Sequence, residues 1–142
     1  MREFKIEIPN EEEVDYIDDM LLEHNKISKP LEQEEPYIKI NRCIKDGNGQ
    51  VIGGLLAYSV MWHILYVDTL WVNPDYRGNG YGSKLLKEVE TEGRKLGCKI
   101  AHLDTFDFQA PGFYERNGYI VFGILEDSPK GHKEYFFSKK LE

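Results

Sequence analysis

Residues 70–86, LWVNPDYRGNGYGSKLL, hold the chain to a narrow choice of local folds. An apolar run ends at Asn73-Pro74-Asp75, and an amphipathic run begins near Tyr81, with Arg77-Gly78-Asn79-Gly80-Tyr81-Gly82 between them. Proline stops a strand, glycine permits a tight turn, and Leu85, Leu86, Val89 and Leu96 share one face of a following helix. The first N–H groups of that helix have no intrahelical partner, and its dipole makes the same end partly positive. Three residues without Cβ atoms let the backbone curl around an anion there, and Arg77, Lys84 and Lys87 add positive charge. A Walker loop would need Gly-x-x-x-x-Gly-Lys-Ser/Thr, and a dinucleotide fingerprint Gly-x-Gly-x-x-Gly; the alternating glycines match neither. A connection with no ligand could carry the same glycines, so the turn alone leaves anion binding open.

The remaining elements place this turn in a mixed α/β sheet. Residues 3–8 (EFKIEI) alternate charged and apolar as a first strand, stopped by Pro9. Asn10 then caps a helix, Glu13 completes a capping box, and the stripe Val14, Ile17, Met20, Leu21 carries the helix to about Ile27. Residues 28–36 (SKPLEQEEP) read as a loop with room for one helical turn. YIKINRCIK alternates up to the hairpin turn Asp46-Gly47-Asn48-Gly49. QVIGGLLAYSVMW, apolar on both faces, predicts a central strand, and HILYVDTLWV another. Beyond the glycine turn come a helix over 81–96 stopped by Gly97, a strand over 99–105, a short helix over 109–117, and strands over 119–125 and 133–141. The order is βα(α)βββαβαββ: one domain over residues 1–142, with a twisted mixed sheet of six to seven strands and helices on both faces.

Charge and cysteine usage narrow the function classes. A net charge of −7 disfavours a nucleic-acid partner and suits a cationic small molecule. Cys43 and Cys98 lack the spacing of a disulfide framework or zinc site, and no metal is expected. The sequence contains no apolar run suited to a signal peptide or a membrane span, which makes the cytoplasm the expected compartment.

With its strand and helix, the glycine turn closely resembles the acyl-CoA-binding motif of the GNAT N-acetyltransferase superfamily. That motif, Arg/Gln-x-x-Gly-x-Gly/Ala, is met by Arg77, Gly80 and Gly82. PGFYERNGYIVFG, residues 111–123, is similar to the family's Phe-Tyr-x-x-x-Gly-Phe/Tyr segment, in the expected order about thirty residues on. The resemblance implies a GNAT-like domain acting as an N-acetyltransferase with acetyl-CoA as donor. It implies that backbone amides of Arg77, Gly78, Asn79, Gly80, Tyr81, Gly82 and Ser83 bind the CoA pyrophosphate. Leu70, Trp71 and Val72 would pair with the pantetheine arm where the strands over 64–72 and 99–105 splay apart. Tyr114 falls on the family's tyrosine, which protonates the departing thiolate, and a homodimer is the family habit.

Amine acylation also needs an uncharged amine and an oxyanion donor. An N–H near residues 70–72 suits the second role. Asp68, a charge in an apolar strand, is either the first candidate base or a residue of the sheet surface or of an ion pair, with Asp104 in reserve as base, His63 third, and water a further route. Glu32, Glu34 and Glu35 could attract a cation or be a solvated face, and Phe106, Phe108 and Phe113 could line the pantetheine channel or the core. His102, alternating with Ala101 and Leu103, reads as a core residue, and His132 as turn chemistry that could overhang the acceptor groove. The acceptor is expected to be a small primary amine. A protein lysine or N-terminus is the alternative acceptor, and a non-catalytic acyl-CoA sensor the alternative class.

Overall fold

The computed structural model describes residues 3–142. The chain divides into two compact units, one up to Leu31 and one from Glu32 onward. The first holds helix α1, Glu11–Ser28. Its capping box is formed as expected: Asn10 Oδ1 accepts from the Glu13 N–H at 2.8 Å, and Glu13 Oε1 accepts from the Asn10 N–H at 3.0 Å. Glu11, Glu12 and Glu13 lie at the positive end of the dipole. The strand expected over residues 3–8 is not formed. Alternation says which side chains would share a face, but a strand also needs a partner edge, and the described residues of the first unit contain no strand.

The second unit is built on a six-stranded sheet in the order β1-β2-β3-β4-β6-β5. Its strands are β1 Tyr37–Lys45, β2 Val51–Val60, β3 Ile64–Val72, β4 Ile100–Phe106, β5 Ile120–Glu126 and β6 Lys133–Lys140. Among these strands β3 and β4 run parallel, and the other pairings are antiparallel. The β1–β2 turn is set by Asp46, whose Oδ1 accepts from the Asn48 N–H at 2.8 Å and the Gln50 N–H at 3.0 Å.

Helix α2, Tyr81–Lys95, forms the crossover between the two parallel strands and lies over β1, β2 and β3. It buries Leu85, Leu86 and Val89 in one cluster with Leu55, Leu65, Val67, Leu103 and Phe137. Each such side chain taken fully from water contributes about 1.5–3 kcal/mol. Gly93 lets the helix approach: a Cβ there would stand 3.2 Å from Leu65 Cδ2. Glu90, on the same inward face, is buried with two partners. Lys139 Nζ of β6 lies 2.9 Å from its Oε1, and the Tyr119 hydroxyl donates to its Oε2 at 2.8 Å. The short helix α3, Pro111–Arg116, follows β4 and contacts β5.

Candidate active site

The site begins where the parallel pair comes apart. β3 remains paired to β2 as far as Val72 and β4 to β6 as far as Phe106. β3 and β4 pair with each other only at Ile64/Ile100, Leu65/Ala101 and Tyr66/His102. A register shift lies just beyond: Ala57 faces Val67 and Leu56 faces Thr69, which leaves Asp68 as the extra residue of a β-bulge. A bulge bends its strand and adds twist, turning β3 away from β4. The cavity that opens there measures about 910 Å³. One wall is residues 68–72 of β3, the opposite wall Asp104 and Thr105 of β4, and the glycine turn, residues 108–110 of the β4–α3 loop and α3 supply the rest.

At the glycine turn, Gly80 is the N-cap of α2 with φ +79°, and no side chain caps the helix. The first turn carries no acidic residue, so the N–H groups of Tyr81, Gly82 and Ser83 present an uncompensated positive end. Gly78 has φ +81°, and a Cβ at Gly78 or Gly80 would meet nothing within 4 Å. These two glycines are needed for backbone conformation, not for room. Gly82 is the opposite case: its Cβ would lie 3.2 Å from the Phe113 ring. Arg77 Nε donates to the Val72 carbonyl at 2.9 Å and ties the turn to the end of β3. Arg77, Gly78, Gly80, Tyr81, Gly82 and Ser83 all line the cavity, as do Leu70, Trp71 and Val72. Asn79 is outside that lining and braces the turn, its Nδ2 donating to the Tyr76 carbonyl at 3.0 Å.

Carboxylates gather at another part of the same cavity. Asp68 is exposed on its bulge, with Thr69 Oγ1 donating to it at 3.3 Å. Across the splay, Asp104 accepts from the Tyr66 hydroxyl at 3.3 Å. Burial, and then the neighbouring Asp104, raise the Tyr66 phenol above its ordinary value. A hydrogen bond with Asp104 likewise raises the Glu134 carboxyl, which Ser128 Oγ holds at 2.9 Å. Tyr114 is a buried part of the cavity wall, its ring 5.1 Å from Phe113 and 5.8 Å from Phe137. Burial, with a contribution from Asp104, pushes its phenol up to about 12.

Other expected residues fall elsewhere. His63 sits in the β2–β3 turn with φ +57°, its ring 3.5 Å from where a Gly97 Cβ would be, and it does not line the cavity. His102 faces away from the core that Ala101 and Leu103 enter: it is half-buried 5.0 Å from the Tyr66 ring, and burial lowers its pKa. Glu32, Glu34 and Glu35 are not part of the lining. Phe108 and Phe113 line the cavity, while Phe106 stacks behind Phe108. Tyr66 and Glu134 were missed by sequence reasoning. Tyr66 could have been found two residues before Asp68 on one strand, whereas Glu134 depends on the β4–β6 register, which no local pattern encodes.

Known proteins resemble this chain in sequence and in fold. A family model described as "Acetyltransferase (GNAT) family" matches residues 3–119. The chain is 42% identical over 115 residues to a blasticidin-S acetyltransferase of Streptomyces morookaense, covering 80% of this chain and 79% of that protein. The crystal structure of an acetyltransferase from Bacillus cereus superposes with a TM-score of 0.87 at 36% identity, covering 96% of this chain and 97% of the other. An aminoglycoside 6'-N-acetyltransferase solved with coenzyme A shares the fold, with a TM-score of 0.67 at 16% identity over 95% of this chain and 96% of its own.

Proposed function

The chain belongs to the GNAT acetyltransferase family, and on that premise we propose that it moves the acetyl group of acetyl-CoA onto the primary amine of a cationic small molecule. One observation carries the reading. A single cavity joins an uncapped, glycine-turned helix N-terminus to the carboxylates of Asp68 and Asp104 across a strand splay, with Tyr114 in its wall.

The cavity fits the donor in its chemistry. The amides of residues 78–83 suit a pyrophosphate. The edge of β3 beyond Tyr66, released from β4, has backbone groups free to pair with the pantetheine amides as an added strand would. Bound acetyl-CoA supplies an activated acetyl thioester. An N–H near residues 70–72 would hold the carbonyl oxygen as it gains charge. The amine attacks the carbonyl carbon, a C–N bond forms, the C–S bond breaks, and the nitrogen sheds one proton to Asp68, or to Asp104 or water. The sulfur gains one proton from Tyr114, which is restored by the one shed. A phenol near 12 keeps its O–H throughout the neutral range. A free thiol near 8.5 is the stronger acid, so hydrogen-bond donation to the departing sulfur is the larger share of what Tyr114 does.

Two carboxylates on the cavity wall and a net charge of −7 support a cationic acceptor. The 42% identical relative is named for acetylating blasticidin S, which points to a small molecule over a protein amine. No helix among the described residues is long and apolar enough to cross a membrane, and both cysteines are free, in keeping with a cytoplasmic enzyme. Exposed Ile120, Phe122 and Ile124 on the edge strand β5 support a homodimer, and a monomer mass by light scattering would refute it.

The test is calorimetric titration with acetyl-CoA, with ATP and NAD as controls, followed by thioester cleavage over a panel of amines. Saturable binding matched by neither control, with amine-dependent thiol release, supports the proposal. Absence of binding would sink it.

A further inference from the structure

We infer that the acceptor carries a planar unsaturated ring beside its amine, and that Phe108 selects for that ring; the inference rests on the acetyl-transfer reading above. Phe108 is 59% exposed on the loop between β4 and α3, so it contributes little to the core, yet its ring is held from several sides. It stacks parallel on Phe106, with centroids 5.3 Å apart and planes 2° from parallel. His132, from the hairpin between β5 and β6, meets it at 5.2 Å and 82°. His132 is itself fixed, its Nδ1 lying 2.9 Å from Asp107 Oδ1. The other oxygen of Asp107 accepts from the Lys133 N–H at 2.9 Å, and the Asp107 N–H donates to the Lys133 carbonyl at 2.9 Å. Gln109 pins the loop from within, accepting from Thr105 Oγ1 at 3.0 Å and from the Phe106 N–H at 2.8 Å.

A rigid, half-bare aromatic on a cavity wall is pre-set for a flat partner, because stacking there needs no further side-chain ordering. The surroundings of Phe108 assign it to the acceptor and not to the donor. The hairpin that braces it through His132 also carries Ser128, which holds Glu134 beside Asp104. Phe113, in contrast, is the aromatic packed on the glycine turn, next to Gly82. Ring recognition and the Asp104–Glu134 pair thus share one supporting hairpin, while the donor end has its own aromatic.

The experiment compares two diamines of similar reach, 1,4-bis(aminomethyl)benzene and 1,6-diaminohexane, by steady-state kinetics with acetyl-CoA. Wild type should favour the ring-bearing diamine by about 10-fold in kcat/KM, Phe108→Ala should bring the ratio to about one, and Phe108→Tyr should restore it. Saturation-transfer NMR of the same diamines on the CoA-loaded protein supplies a readout without turnover. A ring-proton signal present with wild type and absent with Phe108→Ala upholds the inference even if neither diamine is acetylated, because the acetyl-transfer reading is decided separately by the acetyl-CoA titration and the amine panel. No preference in wild type, an equal drop with both diamines in Phe108→Ala, or ring binding indifferent to Phe108 overturns it.

Discussion

Replacing Gly80 by Asp and, separately, by Asn tests whether the glycine turn holds phosphate. Gly80 adopts φ +79°, and its missing Cβ faces open space. The conformational cost of a side chain in the left-handed region is about 1–2 kcal/mol, and Asn and Asp are the residues that bear it best. Both variants should therefore fold, with a shared loss of about 1 kcal/mol that lowers Tm by roughly 4 °C. They are nearly isosteric and differ by one negative charge at the mouth of an uncapped helix N-terminus. A pyrophosphate oxygen about 4 Å from that carboxylate would be repelled by about 1 kcal/mol in a water-like medium and about 4 at a dielectric of 20. Acetyl-CoA should accordingly bind Gly80→Asp about 5- to 800-fold more weakly than Gly80→Asn. Calorimetric titration at low and high salt reads the difference, which should shrink as salt screens it. Equal affinities for the two variants, with matching Tm values, would mean that no phosphate sits at this turn.

Tyr114→Phe should lower turnover by about 10²–10⁴-fold with acetyl-CoA affinity retained; a rate equal to wild type would remove the phenol from the reaction. Because burial raises the folded-state pKa of Tyr114 to about 12, the folded protein holds a proton that the unfolded chain gives up near pH 10. The stability this contributes is fully present below pH 10 and lost between pH 10 and 12, so denaturation midpoints should fall across that window and fall less in Tyr114→Phe. Asp68→Asn and Asp104→Asn separate the two candidate bases: the true one should take the acidic limb of the kcat/KM–pH profile with it, and an unmoved limb in both assigns deprotonation to water. Lys139→Met strands the Glu90 carboxylate, which is 2% exposed, and should cost about 3–5 kcal/mol by urea denaturation. A loss below 1 kcal/mol would show that Tyr119 alone satisfies Glu90.

Local chemistry settled much of this protein before any tertiary contact. The Asn10/Glu13 capping box, the Asp46-to-Gly49 turn and the helix opening at Tyr81 all depend on neighbours within about four residues, and all appear where the sequence places them. The same holds for the helix end at Gly80, whose positive φ and missing cap follow from the glycines themselves. Residues 3–8 mark the limit of that reasoning: their alternation is plain, but a strand exists only against a second edge, and a pattern cannot supply one. The splay is likewise a tertiary event. It arises because β3 stays with β2 and β4 stays with β6, while the extra residue at Asp68, a register shift against β2, bends β3 away from β4. Only the β4–β6 register sets Asp104 beside Glu134, and only the meeting of two distant loops holds Phe108 between Phe106 and His132. The sequence thus determined which segments could bind an anion, since that ability resides in the backbone of one turn. Tertiary structure decided which acidic and aromatic side chains face the same cavity, since their proximity depends on pairings between residues 20 to 40 positions apart.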